Sequence, residues 1–187
     1  MMRIMLHKKL LILSIFVSFV GSAFGQKLSL GLGAYSIDAK VGTNETTVSN
    51  LGAYKIQFHT KIQDQFELLL GYNILIERIY NGDKAFGPFV GFSYYPFGST
   101  TASHSSISNI SILSIKKLNP YIYTGFNQRQ YQSVKATYSG FSFGGGAEVG
   151  LSKEIAFFGD IQYAILDGPN EGSATEFMSV AGIMYNY

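Results

Sequence analysis

The sequence predicts an all-β protein: a closed, antiparallel, up-and-down transmembrane β-barrel of eight strands, or ten if one Ser/Thr-rich segment forms a further hairpin. Three observations carry this. Charged residues make up 14% of the 187-residue chain while aromatics make up 15%; a soluble domain carries about 25% charged residues, so much of this surface does not face water. Beyond the first 25 positions no run of 18 apolar residues occurs, so only strands could cross a bilayer. Eight segments of about ten residues alternate apolar and polar positions, the length and period of a tilted spanning strand.

Residues 1–25 read as a cleaved secretory leader. Arg3, His7, Lys8 and Lys9 precede an apolar run from Leu10 to Val20, and Ala23 and Gly25 supply the small residues of a cleavage site before Gln26. The run is too short to span a bilayer, which takes roughly 20 residues. Three of the 14 Lys and Arg lie in this leader and none of the 12 Asp and Glu, so its removal turns the formal charge of +2 into −1. No basic patch remains to hold nucleic acid. The absence of cysteine excludes disulfides, thiolate metal sites and thiol nucleophiles. Residues 26–187 are read as one barrel domain.

The first predicted strand, Lys27 to Ile37, sets Leu28, Leu30, Leu32 and Ala34 against Lys27, Ser29, Gly31 and Gly33, and a polar loop from Asp38 to Asn50 follows. The second, Leu51 to Lys61, alternates Tyr54, Ile56 and Phe58 with Lys55, Gln57 and His59. The third, Phe66 to Glu77, opposes Phe66, Leu68, Leu70, Tyr72, Ile74 and Ile76 to Glu67, Gly71, Asn73 and Glu77. Asn81-Gly82-Asp83 marks a turn. The fourth, Ala85 to Tyr95, carries Pro88, which lacks a ladder donor and belongs near a strand end or bulge.

Pro96 to Leu118, rich in Ser and Thr, reads either as a long turn, favoured by its composition, or as the extra hairpin that would bring the count to ten. The fifth strand spans Asn119 to Gln128, the sixth Gly140 to Ser152 and the seventh Ile155 to Leu166, with polar loops from Arg129 to Ser139 and from Asp167 to Thr175. An echo of Gly71-Tyr72-Asn73 in Gly125-Phe126-Asn127 places Tyr121 and Tyr123 on the inner face. The eighth strand runs from Glu176 to the aromatic Tyr187 and pairs with the first, with Tyr187, Tyr185, Ile183 and Ala181 on one face.

Two features turn the apolar face outward. The opposite face collects Lys55, Gln57, His59, Glu67, Asn73, Glu77, Glu148, Asp160 and Gln162, charges of both signs that can pair in a lumen. Aromatics gather near segment ends, where the girdles of a membrane barrel sit. The leader, Gly87-Pro88-Phe89-Val90-Gly91-Phe92, Asn119-Pro120-Tyr121-Ile122-Tyr123-Thr124-Gly125-Phe126 and the aromatic-terminated last strand resemble the outer-membrane protein β-barrel domain family, small eight-stranded OmpA-type and OmpX-type barrels. The resemblance implies a bacterial outer-membrane location, lipid as the surrounding partner, and Ala181, Ile183, Tyr185 and Tyr187 as the signal that the barrel-assembly machinery reads.

No constellation for catalysis, cofactor or metal emerges. Some barrels of this kind act on lipid A through Ser, His and an acid near the outer leaflet; with both termini periplasmic, His59 and His104 fall at the periplasmic end. The lumen acids are expected to pair with Lys55 or Arg78 as filling. Asp167-Gly168-Pro169-Asn170-Glu171 lacks the full calcium-loop pattern, and Gly144-Gly145-Gly146 lacks the context of a phosphate loop. The leading reading is a non-enzymatic barrel with a filled lumen, contributing to envelope structure or surface interaction. A narrow pore, a lipid A-modifying enzyme and a soluble periplasmic lipocalin-like binding barrel are its rivals.

Overall fold

The computed structural model describes residues 26–41, 44–76, 84–99, 102–107, 110–115, 118–132 and 135–187. The predicted leader and Glu77, Arg78 and Asn81-Gly82-Asp83 lie outside them. The described residues form ten strands: β1 (Gln26–Val41), β2 (Asn44–Gln63), β3 (Phe66–Ile76), β4 (Lys84–Tyr94), β5 (Ala102–Ile107), β6 (Ile110–Ile115), β7 (Asn119–Tyr131), β8 (Ala136–Gly150), β9 (Ile155–Asp167) and β10 (Ser173–Asn186). Eight of them close an antiparallel barrel in the order β1-β10-β9-β8-β7-β4-β3-β2.

Closure is by β10 on β1, from Lys27 opposite Asn186 to Lys40 opposite Ser173. Every spanning strand thereby has two neighbours, so none leaves a backbone edge along the barrel wall, the condition lipid imposes on a sheet. Inward positions follow the predicted phase. Lys27, Ser29, Lys55, Gln57, His59, Glu67, Tyr121, Tyr123, Glu148, Asp160 and Gln162 are buried, while Leu30, Leu32, Ile56, Phe92, Ile122, Phe143, Phe157, Ile161 and Ile183 are exposed.

Three predicted loops are shorter than expected. β1 and β2 run through Asp38 to Asn50 as a ladder extending to Val41 opposite Asn44, with Ile37 opposite Val48 and β-branched Thr46 and Thr47 in the strand. β7 continues through Arg129 to Tyr131 and β8 starts at Ala136; β9 ends at Asp167 and β10 starts at Ser173. Polar side chains suit strands that leave an apolar belt for water, so composition there marks the end of the belt and not of the strand. The Asp167–Glu171 segment is a turn, with Asn170 and Glu171 both in the left-handed region.

The segment from Pro96 to Leu118 is not a plain turn. β5 and β6 pair with one another, Ala102 opposite Ile115 and Ile107 opposite Ile110, as a separate two-stranded sheet. The hairpin exists, yet the barrel keeps eight strands. His104 accordingly lies in β5 and not in a loop. At the hairpin's root the Gly98 N–H donates to the Tyr95 carbonyl at 3.0 Å, a turn completed by Gly98 at φ 81°, where a side chain would be strained.

Pro88 sits in the middle of β4, not at its end. It opposes Tyr72 of β3, but the β4–β7 ladder is interrupted between Phe86–Gln130 and Phe89–Asn127, so the missing donor falls in a gap on the β7 side. Beside it the strands touch closely: a Cβ on Gly87 would lie 1.8 Å from the Gln128 carbonyl oxygen.

Candidate functional site

The barrel interior concentrates the polar chemistry of the chain, because period-two strands deliver every second side chain to it. At the end where β1 begins, Lys27 Nζ lies 3.0 Å from Glu67 Oε1 and 3.2 Å from Glu148 Oε1. It donates to the Ser99 carbonyl at 2.7 Å and stands 4.6 Å over the Tyr95 ring. The Tyr95 hydroxyl donates to Glu148. His59 holds Glu67 through Nδ1 at 3.1 Å and meets Ser29 Oγ through Nε2 at 3.0 Å. The start of the β5–β6 insertion is thereby drawn into the barrel mouth, helped by the Ser99 N–H on the Asp64 carbonyl at 2.6 Å.

Midway along the lumen Lys55 Nζ pairs with Asp160 Oδ2 at 2.8 Å, donates to the Tyr123 hydroxyl at 3.2 Å and lies 4.7 Å over that ring. The Tyr121 hydroxyl donates to the same carboxylate at 3.3 Å. Asn127 and Gln162 both donate to Ser142 Oγ, at 2.6 and 2.9 Å. Further from the chain termini, Arg129 grips Glu176 bidentately, Nε and Nη2 each 3.0 Å from an oxygen, both residues fully buried. Tyr35, Ile37, Leu75, Ala85, Tyr138, Leu166 and Ala174 pack into an apolar plug toward the far end.

Of the predicted polar cluster, all but Glu77 are found buried in the lumen, and Glu77 lies outside the described residues. Lys55, Asp160, His59, Glu67 and Glu148 fall into two ion-pair groups; Gln162 joins the amide and hydroxyl group. Gln57 accepts from Ser29 through its carbonyl at 3.4 Å. Asn73 stands alone: its side chain is fully buried, opposite Lys55 and Gly87, and neither amide atom has a partner among the described residues.

The expected cation Arg78 lies outside the described residues; within them Lys27 and Arg129 join Lys55 in pairing with the lumen acids. Both were in phase with the inner face; Arg129 and its partner Glu176 were passed over because each stood at the edge of a segment read as loop. Among the described residues no group of His, Cys, Asp and Glu is arranged to hold a metal.

The outer surface is the complement. Aromatic pairs ring it near the termini, Phe66 with Tyr94 at 5.2 Å and Tyr185 with Tyr187 at 5.3 Å. Further up lie Tyr72 with Phe86 at 6.4 Å and Phe143 with Tyr163 at 5.4 Å. Leu, Ile, Val and Phe occupy the band between. Ala181, Ile183, Tyr185 and Tyr187 all face outward and are exposed.

A closed, up-and-down, eight-stranded barrel, apolar outside and charged within, has the architecture of the small outer-membrane barrels. The fold is similar to that of Neisserial surface protein A (NspA), with a TM-score of 0.56 and 10% identity over 87% of this chain and 97% of that one. It is similar also to the N-terminal β-barrel domain of Pseudomonas aeruginosa OprF, with a TM-score of 0.50 and 13% identity over 87% and 99%. Identities this low carry the fold alone. No protein-family model and no curated protein matches the sequence.

Proposed function

We propose that this chain is a non-enzymatic integral protein of a bacterial outer membrane, exported by a cleaved leader, with a filled lumen, serving envelope structure or interaction at the surface. The observation that carries the reading is the exposed apolar belt: Leu30 at 52%, Leu32 at 68%, Phe92 at 52%, Ile122 at 61%, Phe143 at 56% and Ile161 at 53% exposure lie on the outside of a closed barrel. A soluble barrel showing this surface to water would aggregate; lipid covers it at no such cost. A lumen crossed by three buried ion-pair groups and an apolar plug supports filling over conduction, because an eight-stranded barrel has room for little but its side chains.

Fractionation tests the location. The protein is expected in the outer-membrane fraction, released only by detergent; recovery from a periplasmic extract without detergent would overturn the reading in favour of a soluble binding barrel. Unchanged lipid A on expression separates it from a lipid-modifying enzyme.

A further inference from the structure

We infer that the buried ion pairs Lys27–Glu148 and Lys55–Asp160 set the register in which β10 closes on β1, a role that rests on the barrel fold and not on the location proposed above. On its outer face the seam specifies its register weakly. Side chains alternate across a strand, so a slip of one residue turns the wrong face outward, but a slip of two preserves facing. On the outer face Leu28, Leu30, Leu32 and Ala34 oppose Tyr185, Ile183, Ala181 and Ser179, and all these residues but Ser179 are apolar or aromatic, so a two-residue step keeps largely apolar pairs. On the inner face β1 presents Gly31 and Gly33 two apart, so in one of the two slips Gly31 takes the place of Gly33, whose Cβ position lies 1.9 Å from the Ser179 carbonyl oxygen, while in the other slip Tyr35 would stand there. Locally Gly182 marks the register, its Cβ position lying 2.0 Å from the Leu30 carbonyl oxygen.

The ion pairs reach over this seam. Round the closing side of the barrel, β10 and β9 separate β1 from β8, and β1 and β10 separate β2 from β9. Lys27 of β1 meets Glu148 of β8, and Lys55 of β2 meets Asp160 of β9. A two-residue slip at the seam moves one side against the other by roughly 7 Å. Contacts of 3.2 and 2.8 Å then break together: Lys27 keeps Glu67, but Glu148, Lys55 and Asp160 lose their ionic partners in a closed lumen, the costliest outcome for a buried charge. The acids lie on strands synthesised late and the lysines on the first two, so both pairs form only when the seam does.

Cysteine crosslinking across the seam tests this, since the chain has no cysteine of its own. Leu30→Cys with Ile183→Cys reports the native register; Leu30→Cys with Ala181→Cys or Tyr185→Cys reports slips of two. With the lumen unchanged, a short thiol crosslinker should join only the native pair. When Lys27→Met, Glu148→Leu, Lys55→Met and Asp160→Leu are combined, the slipped reporters should rise at least tenfold relative to the native one. Native-only crosslinking in that charge-free lumen would overturn the inference.

Should the charge-free barrel fail to close, the exchange decides. Lys55→Asp combined with Asp160→Lys should restore native-only crosslinking while Lys55→Asp alone gives slipped or unclosed protein; identical behaviour of the two would also refute it.

Discussion

Lys55 and Arg129 are fully buried cations, and each depends on one carboxylate. Removing one partner strands the other in a medium that cannot solvate it, at a cost of about 3–5 kcal/mol. Asp160→Asn and Glu176→Gln are therefore expected to lower the unfolding free energy of the detergent-folded protein, read from urea titration, by that amount, and the double replacement Lys55→Met with Asp160→Leu to recover most of it. Asn73→Leu should act the opposite way. Its buried amide has no hydrogen-bond partner among the described residues, so an apolar side chain of similar size should stabilise by about 1–2 kcal/mol; a drop in the same urea titration would contradict this. At this scale period two found most of the lumen from sequence, because facing depends only on parity. It could not say which charge meets which, since Lys27 and Glu148 lie 121 positions apart and are joined only by closure.

Strand positions in the belt were legible and strand ends were not. Alternation is visible only where one face is apolar; once β1, β2 and β7 rise past Ala34, Ala53 and Phe126, polar residues on the outer face erase the signal while the ladder continues. The β5–β6 hairpin is the less favoured of the two sequence readings for a related reason, its serines reading as turn formers. The hairpin is a sheet separate from the barrel, and its root is held by Tyr95, Gly98 and Ser99. Replacing residues 100–117 with a Gly-Ser dipeptide should thus leave heat-modifiable folding intact, and loss of the folded band on unheated gels would show that the insertion supports the wall. At the closing strand, Tyr187 packs edge-to-face against Tyr185 near the chain termini. Its deletion, or Tyr187→Asp, is expected to reduce the folded outer-membrane fraction severalfold, since an aromatic anchor is lost there; normal yields of both would count against the assembly role.

At the scale of the whole molecule, the proposed reading is a barrel with a filled lumen. Ion pairs, the Asn127–Ser142–Gln162 group and the apolar plug occupy successive levels, so purified protein in planar bilayers should show no stable single-channel conductance; discrete openings would reveal a pore. Stability without disulfides comes from complete ladder closure around this filling. One further property follows from where the chain enters and leaves. Lys27 stands opposite Asn186 at one end of the barrel and Val41 opposite Asn44 at the other, so in the proposed membrane setting the two pairs lie on opposite faces. Two labels, one beside Asn186 and one beside Asn44, are therefore sufficient to read which way the barrel is mounted in intact cells.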